Sequence, residues 1–185
     1  MRIINGQYKG RVIKTIKDKS VRPTTNKTRE AIFNIIEHNN LIPSGEYSKI
    51  NYLEIYAGSA IMAFEFLSRG VKVATLIDQN PKLKKTFQSN AVILQKEEVN
   101  FIASDINKLY NNPRKYNFCF IDPPYSLKLE AATLNKLANE NWLDDNAIII
   151  LETDKRNNFD LNQKYEVLLN KIYGRTRLIF LRYLG

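Results

Sequence analysis

Asp122-Pro123-Pro124-Tyr125 is the stretch of this 185-residue chain whose residue types could do chemistry. It follows Tyr116-Asn117-Phe118-Cys119-Phe120-Ile121, whose aromatic and β-branched residues predict a buried strand ending at Asp122. The two prolines lack N–H donors and fix φ, so the chain leaves the sheet stiffly, with free carbonyls and with Tyr125 just beyond the strand's carboxyl end. An aromatic exocyclic amine is a poor nucleophile because its lone pair is delocalised into the ring, and it needs acceptors for its hydrogens. The Asp122 carboxylate and the Pro123 carbonyl are such acceptors, and Tyr125 offers a flat face on which a base can stack. Taken alone, the tetrapeptide equally suits a Pro-stiffened turn whose Asp caps a neighbouring segment.

A second constellation lies upstream. Ile50 to Tyr56 reads as a strand, and Ala57-Gly58-Ser59-Ala60 as a small-residue turn into a helix that runs to Ser68-Arg69 and stops at Gly70. Strand, small-residue loop and helix N-terminus form a nucleotide-type cofactor site. Gly58 lets backbone approach a ligand, whereas Ala60 stands where dinucleotide or methyl-donor loops usually carry a second glycine. Its methyl is tolerable there if φ is negative, at the cost of some crowding of the ligand. Asp78 ends the next strand, Val73 to Ile77, at the spacing from Gly58 where an acid accepts from ribose hydroxyls. The strand Val99 to Ala103 leads to Asp105, for which a helix N-cap is the lesser alternative. Glu54, Asp78, Asp105 and Asp122 thus lie at four strand ends, which a parallel sheet would gather on one cleft.

The elements that must position these residues follow from periodicity. Thr24 or Thr25 can cap a helix whose apolar face is Ala31, Ile32, Ile35 and Ile36. Pro81 opens another helix, and Leu127 to Ala138 is amphipathic, with Trp142 packing at its end. Ala147 to Leu151 is a further strand, ending in Glu152, and Tyr165 to Tyr173 with Thr176 to Tyr183 make a hairpin across Gly174-Arg175. Alternating strands and helices followed by a hairpin predict an α/β domain with a parallel sheet and one antiparallel strand.

Charge points to a partner. The 28 Lys and Arg exceed the 19 Asp and Glu, for a net charge of +9 and a pI near 9.5, which favours a polyanion. Residues 1 to 29 hold nine Lys or Arg against the single acid Asp18, so the excess is local. Residues 1–20 read as a basic hairpin or arm, with Arg2 to Asn5 and Arg11 to Thr15 as its strands, ahead of a catalytic domain over residues 21–185. Arg2, Lys9, Arg11, Lys14, Lys17 and Arg22 are the candidate contacts to nucleic acid, and Arg175, Arg177 and Arg182 of the C-terminal hairpin are the second choice. The single Cys119 excludes an internal disulfide and reads as a small core side chain. The one histidine, His38, sits at a helix end and builds no metal site with it. No apolar run approaches a membrane span or a signal segment, so a cytoplasmic location without membrane contact is expected.

Segments spread along almost the whole chain resemble the bacterial RsmD-type 16S ribosomal RNA guanine-N2 methyltransferases. They are Met1-Arg2-Ile3-Ile4 through Tyr8-Lys9-Gly10-Arg11, Arg22-Pro23-Thr24-Thr25 with Arg29-Glu30, Tyr56-Ala57-Gly58-Ser59, Leu67-Ser68-Arg69-Gly70 and Asp122-Pro123-Pro124-Tyr125. The resemblance implies a Rossmann-like class I methyltransferase with a seven-stranded, mostly parallel sheet whose strand 7 is antiparallel. It implies S-adenosylmethionine as donor, with the Tyr56 to Ala60 loop under its methionine part, Asp78 on its ribose, Asp105 on its adenine amino group and Glu54 among the cofactor-binding residues. Asp122 to Tyr125 would then hold a guanine of 16S rRNA or of the small ribosomal subunit, with no metal and with the protein a monomer. Adenine-N6 methylation of DNA is the rival chemistry, because the same tetrapeptide serves either amine. A non-catalytic RNA-binding assembly factor is the rival of another class, favoured only by Ala60.

Overall fold

Near-continuous apolar runs along the central strands build a sheet that is buried on both faces. A computed structural model describes residues 1–15, 24–43, 46–94 and 98–185. Its elements are α1 (Asn26–His38), β1 (Asn51–Ile55), α2 (Ile61–Ser68), β2 (Val73–Asp78), α3 (Leu83–Ile93), β3 (Val99–Ala103), β4 (Tyr116–Ile121), α4 (Glu130–Asn139), β5 (Leu143–Asp154), β6 (Tyr165–Tyr173) and β7 (Thr176–Tyr183). The strands form one sheet in the order β3-β2-β1-β4-β5-β7-β6. Pairs among β1 to β5 are parallel, and β7 runs antiparallel to both neighbours. The order reverses between β1 and β4, and the crevice at that switch is where open α/β sheets bind ligands.

Tyr52, Leu76, Phe118, Phe120, Ile150 and Phe180 face one side of the sheet, where α1, α2 and α3 cover them. Leu53, Ile77, Cys119, Ile121, Ile149 and Leu181 face the other, under Leu134 and Leu137 of α4. On the first side Phe66 of α2 gathers the rings of Tyr52, Phe33 and Phe118, with centroids 4.4, 4.9 and 5.0 Å away. Offset or tilted aromatic packing of this kind adds to the burial of the rings themselves. Thr25 caps α1, its hydroxyl accepting from the Thr28 N–H, so the second of the two expected caps is the one used. Trp142 is buried at the end of α4, stacked on Tyr116, and donates from Nε1 to the Tyr110 carbonyl.

The described part of the basic N-terminal segment, residues 1–15, turns back on itself, with the Ile3 N–H donating to the Arg11 carbonyl and the Ile13 N–H to the Met1 carbonyl. A single antiparallel bridge, Arg2 to Val12, replaces the two expected strands. Ile3 and Ile13 are buried in the same core as α1 and α2, so the segment packs against these helices. Gly6, at φ +85°, lies so close to the Ser68 carbonyl that an added Cβ would sit 2.2 Å from it. Beneath it, Glu65 of α2 carries a fully buried carboxylate that accepts from Arg29 of α1, from Arg69, and from the Ile4 N–H of the segment. Burial pulls the Arg29 guanidinium below its usual range and Glu65 pushes it back up.

The position of this segment follows from α2. That helix begins at the carboxyl end of β1 and ends at Ser68, just before β2 starts, so Ser68 is at the opposite edge of the sheet. The Gln7 N–H donates to the Ser68 carbonyl, and the Tyr8 N–H to its hydroxyl. Arg11 donates to the Ile93 carbonyl at the end of α3, and Lys14 binds Ser89 and Asn90 in the same turn. Eight residues of α2 at ~1.5 Å each separate the two edges by about 12 Å.

Candidate active site

Two loops meet at the switch in strand order. The first, Tyr56 to Ala60, leaves β1 with left-handed backbone at Tyr56 (φ +60°), Gly58 (+49°) and Ala60 (+53°). Two of these three are not glycine, and such a conformation costs an L-residue about 1–2 kcal/mol. The loop is held by neighbours: the Ala57 N–H donates to the Ile77 carbonyl, and the Gly58 N–H to Asp78 Oδ2 at 2.9 Å. Asp78 Oδ1 accepts from the Asn80 N–H, also at 2.9 Å. One carboxylate therefore fixes both the loop after β1 and the turn after β2.

The condition of a negative φ at Ala60 is not met. The residue is left-handed, which explains why glycine would suit the position, and it is fully buried. Its methyl joins the core beside Ala57 and Ile61 and does not crowd the cleft. Among the residues expected at the donor, Tyr56, Gly58, Ser59, Asp78 and Asp105 are half-buried and so retain surface, whereas Glu54, Ala57 and Ala60 are buried beneath them. Glu54 Oε2 accepts from the Tyr52 hydroxyl at 3.0 Å and from the Ala63 N–H of α2 at 2.6 Å. Burial, opposed by these two hydrogen bonds and reinforced by nearby Asp78, pushes the Glu54 carboxyl up to about 8. Glu54 thus anchors the helix N-terminus from below. Asp105 does cap the short 3₁₀ turn Ile106–Lys108, its Oδ1 accepting from the Asn107 N–H and side chain.

The second loop leaves β4. Ile121 and Pro123 are buried, Asp122 and Tyr125 are half-buried and Pro124 is exposed. Tyr125 to Leu127 make a 3₁₀ turn and Lys128 is left-handed, so the helix expected from Leu127 begins only at Glu130. The Tyr125 hydroxyl donates to Glu152 Oε1 at 3.2 Å. Burial, and then the Glu152 and Asp122 carboxylates, push its pKa well up, so it stays a neutral donor. Asn157 Nδ2 donates to the Tyr125 carbonyl at 3.2 Å and to the buried Glu130 at 2.9 Å, and Thr153 donates to the same Glu130. Tyr56 reaches α4, its hydroxyl 2.8 Å from that of Thr133.

The cleft therefore brings together Tyr56 to Ser59, Asp78, Asp105 and Asp122 to Tyr125. Arg2, Lys9, Arg11 and Lys14 lie at the far edge of the sheet and do not rim it, because their segment packs on the ends of α2 and α3. Lys17 and Arg22 lie outside the described residues. Glu152, Glu130 and Asn157 were not singled out by sequence. Glu152 had a signal as one more acid at a strand's carboxyl end, while Asn157 in a polar loop had none. Among the described residues no group of acids, His and Cys could hold a metal, and no helix is long and apolar enough to cross a membrane.

A seven-stranded sheet in this order, with strand 7 antiparallel and two loops converging at the switch, defines a class I methyltransferase fold. The family described as conserved hypothetical protein 95 matches residues 1–182, and the chain belongs to it, as an RsmD-type methyltransferase. An uncharacterized methylase of Rickettsia prowazekii is 31% identical, over 99% of this chain and 98% of that protein. The ribosomal RNA small subunit methyltransferase D of Buchnera aphidicola (subsp. Acyrthosiphon pisum) is 30% identical over 92% and 86%. A solved Escherichia coli structure described as a methyltransferase superposes with a TM-score of 0.84 at 26% identity, covering 100% of this chain and 98% of that one.

Proposed function

We propose that the protein transfers a methyl group from S-adenosylmethionine to the exocyclic N2 of a guanine in 16S ribosomal RNA. The observation that carries this reading is the pairing, at one switch point, of a donor-type loop tied to Asp78 with an Asp-Pro-Pro-Tyr loop at the end of β4. The donor set fits the cofactor. Accessible carboxylates at Asp78 and Asp105 suit hydroxyl and amino donors, and the tethered Gly58 loop suits close backbone approach. When bound, S-adenosylmethionine supplies an electrophilic methyl on a sulfonium, so little proton chemistry is asked of the protein.

The chain's own groups do the rest. Asp122 and the Pro123 carbonyl accept the two amine hydrogens and favour a nitrogen whose lone pair points at the electrophile. Tyr125 stacks the base and, pinned by Glu152 and Asn157, fixes the plane in which it lies. The curated relatives named for small-subunit ribosomal RNA and the net charge of +9 support RNA as substrate.

Mass mapping of 16S rRNA incubated with the protein and S-adenosylmethionine tests this reading, free and as assembled subunits. One N2-methylguanine is expected, lost with Asp122→Ala. Methyladenine in DNA, or donor binding with no RNA product, would overturn it.

A further inference from the structure

Among the basic groups at the cleft edge of the sheet are those in the turn after β5 and in the β6–β7 loop. Asp154, the last residue of β5, pairs in register with Thr176 at the start of β7, so Arg156 and Arg175 sit at the sheet edge that carries Tyr125. The Asp154 side chain is only 5% exposed, while those of Arg156 and Arg175 are 70% and 68% exposed. Arg156 grips Asp154 with a fork, Nε to Oδ1 and a terminal nitrogen to Oδ2, both at 2.9 Å. The Arg175 guanidinium is 3.8 Å from the same Oδ2. The Arg156 hydrogen bonds hold the Asp154 carboxyl far below its usual range, so it remains an anchor for both cations. Two guanidiniums on one carboxylate leave a net positive, outward-facing pair.

The mounting of this pair is rigid. Arg177 donates to the carbonyls of Lys155 and Asn157, closing the turn, and Asn157 donates to the Tyr125 carbonyl. The turn that carries Arg156 is therefore tied to the residue whose ring is proposed to stack the target base.

We propose that Arg156 and Arg175, gathered by Asp154, clamp a backbone phosphate of the single RNA strand whose base enters the Asp122 to Tyr125 site. The inference rests on the reading of the protein as an RNA methyltransferase. Arginine suits the task because its planar fork matches phosphate oxygens and its weak hydration lowers the cost of contact. The clamp also offsets the repulsion that Asp122 and Glu152 exert on an incoming polyanion.

The test is titration of a fluorescent single-stranded RNA against the full chain in the presence of S-adenosylhomocysteine, across a range of salt. For Arg156→Gln with Arg175→Gln, RNA affinity is expected to fall, and the slope of log affinity against log salt to become shallower by ~0.7, the value for one lost phosphate contact on a single strand. Lys9→Gln with Lys14→Gln, at the opposite edge, is expected to leave the slope unchanged. Asp154→Asn separates a built clamp from loose charge. It makes the protein more positive, yet it is expected to weaken RNA binding because the guanidiniums lose their common anchor. Stronger binding by Asp154→Asn, or an unchanged slope in the arginine pair, overturns the clamp.

Melting curves check that the variants fold. Should the pair not fold, Arg175→Gln alone, whose side chain only approaches Asp154, carries the same test, with a fall in affinity and a slope shallower by at most the same ~0.7. If the wild type methylates RNA but the arginine variants bind it unchanged, the clamp alone fails. If the wild type neither binds nor methylates RNA, the clamp and the proposed function fail together.

Discussion

The Gly58 N–H donates to Asp78 Oδ2 at 2.9 Å, joining the loop after β1 to the end of β2 across 20 residues of sequence. Asp78 was expected to serve a bound ribose, but its two oxygens already hold the Gly58 and Asn80 amides. An anionic oxygen has more than one lone pair, so it can accept a hydroxyl as well. The same carboxylate then builds the loop and completes it with the ligand.

That double role changes what Asp78→Ala is expected to do. Each charge-assisted hydrogen bond is worth about 1.5–3 kcal/mol, and two are lost even without ligand. The variant is expected to melt lower in the absence of donor and to bind S-adenosylmethionine far more weakly by calorimetry. Weak binding with an unchanged melting temperature would mean that the loop does not depend on Asp78.

Glu54 gives the fold a pH dependence. Its folded pKa of about 8 lies above the ordinary 4.5, so the folded state binds the proton more tightly than the unfolded chain does. The stabilisation it contributes is complete below about pH 4.5 and is lost as pH rises through 8. Denaturant titrations across that window are expected to show falling stability in the wild type and a flatter profile in Glu54→Gln. Parallel profiles would show that burial does not dominate at this carboxyl.

Much of this was legible in the sequence, for local reasons. The boundaries of β6 and β7 follow from two runs rich in β-branched, aromatic and aliphatic residues broken only at Gly174-Arg175, and β4 from six residues stopped short of two prolines. β5 was underread: it runs from Leu143 through Asp144, Asp145 and Asn146, which show no strand pattern, and its pairing slips near Tyr116 and Phe118. The left-handed Ala60 was not legible, because φ there is imposed by the tether to the neighbouring strands and not by the residue's own preference. Which sheet edge received the basic N-terminal segment is a tertiary fact. Charge counting is blind to it, although Ile3 and Ile13, apolar residues within a basic stretch, were the available sign that the segment is packed.

Glu65 was hidden for a related reason. It lies on a helix that is buried all round, where a carboxylate must find partners, and those partners come from α1 and from the N-terminal segment. Glu65→Gln leaves Arg29 fully buried without its counter-charge, and breaking such a pair from one side costs about 3–5 kcal/mol. Chemical denaturation is expected to show a loss of that order, reduced when Arg29→Met is added. If the double variant is no more stable than Glu65→Gln, the buried charge is not the source of the cost.

Tyr125 combines two roles that two substitutions can separate. Its ring is the proposed stacking face, while its hydroxyl is committed to Glu152 at 3.2 Å and kept protonated by burial and by the nearby carboxylates. Tyr125→Phe keeps the face and loses one hydrogen bond, so it is expected to cost about 1 kcal/mol of stability, with KM for RNA nearly unchanged. Tyr125→Ala removes the face, and base stacking on an aromatic side chain is worth about 1–3 kcal/mol, so KM for RNA is expected to rise by roughly 5- to 150-fold. Because the hydroxyl does not ionise near its ordinary value of 10, the wild-type rate is expected to show no loss at that pH that Tyr125→Phe abolishes. Equal effects of the two substitutions on KM would assign the contact to the hydroxyl, and Tyr125 would no longer be the stacking platform.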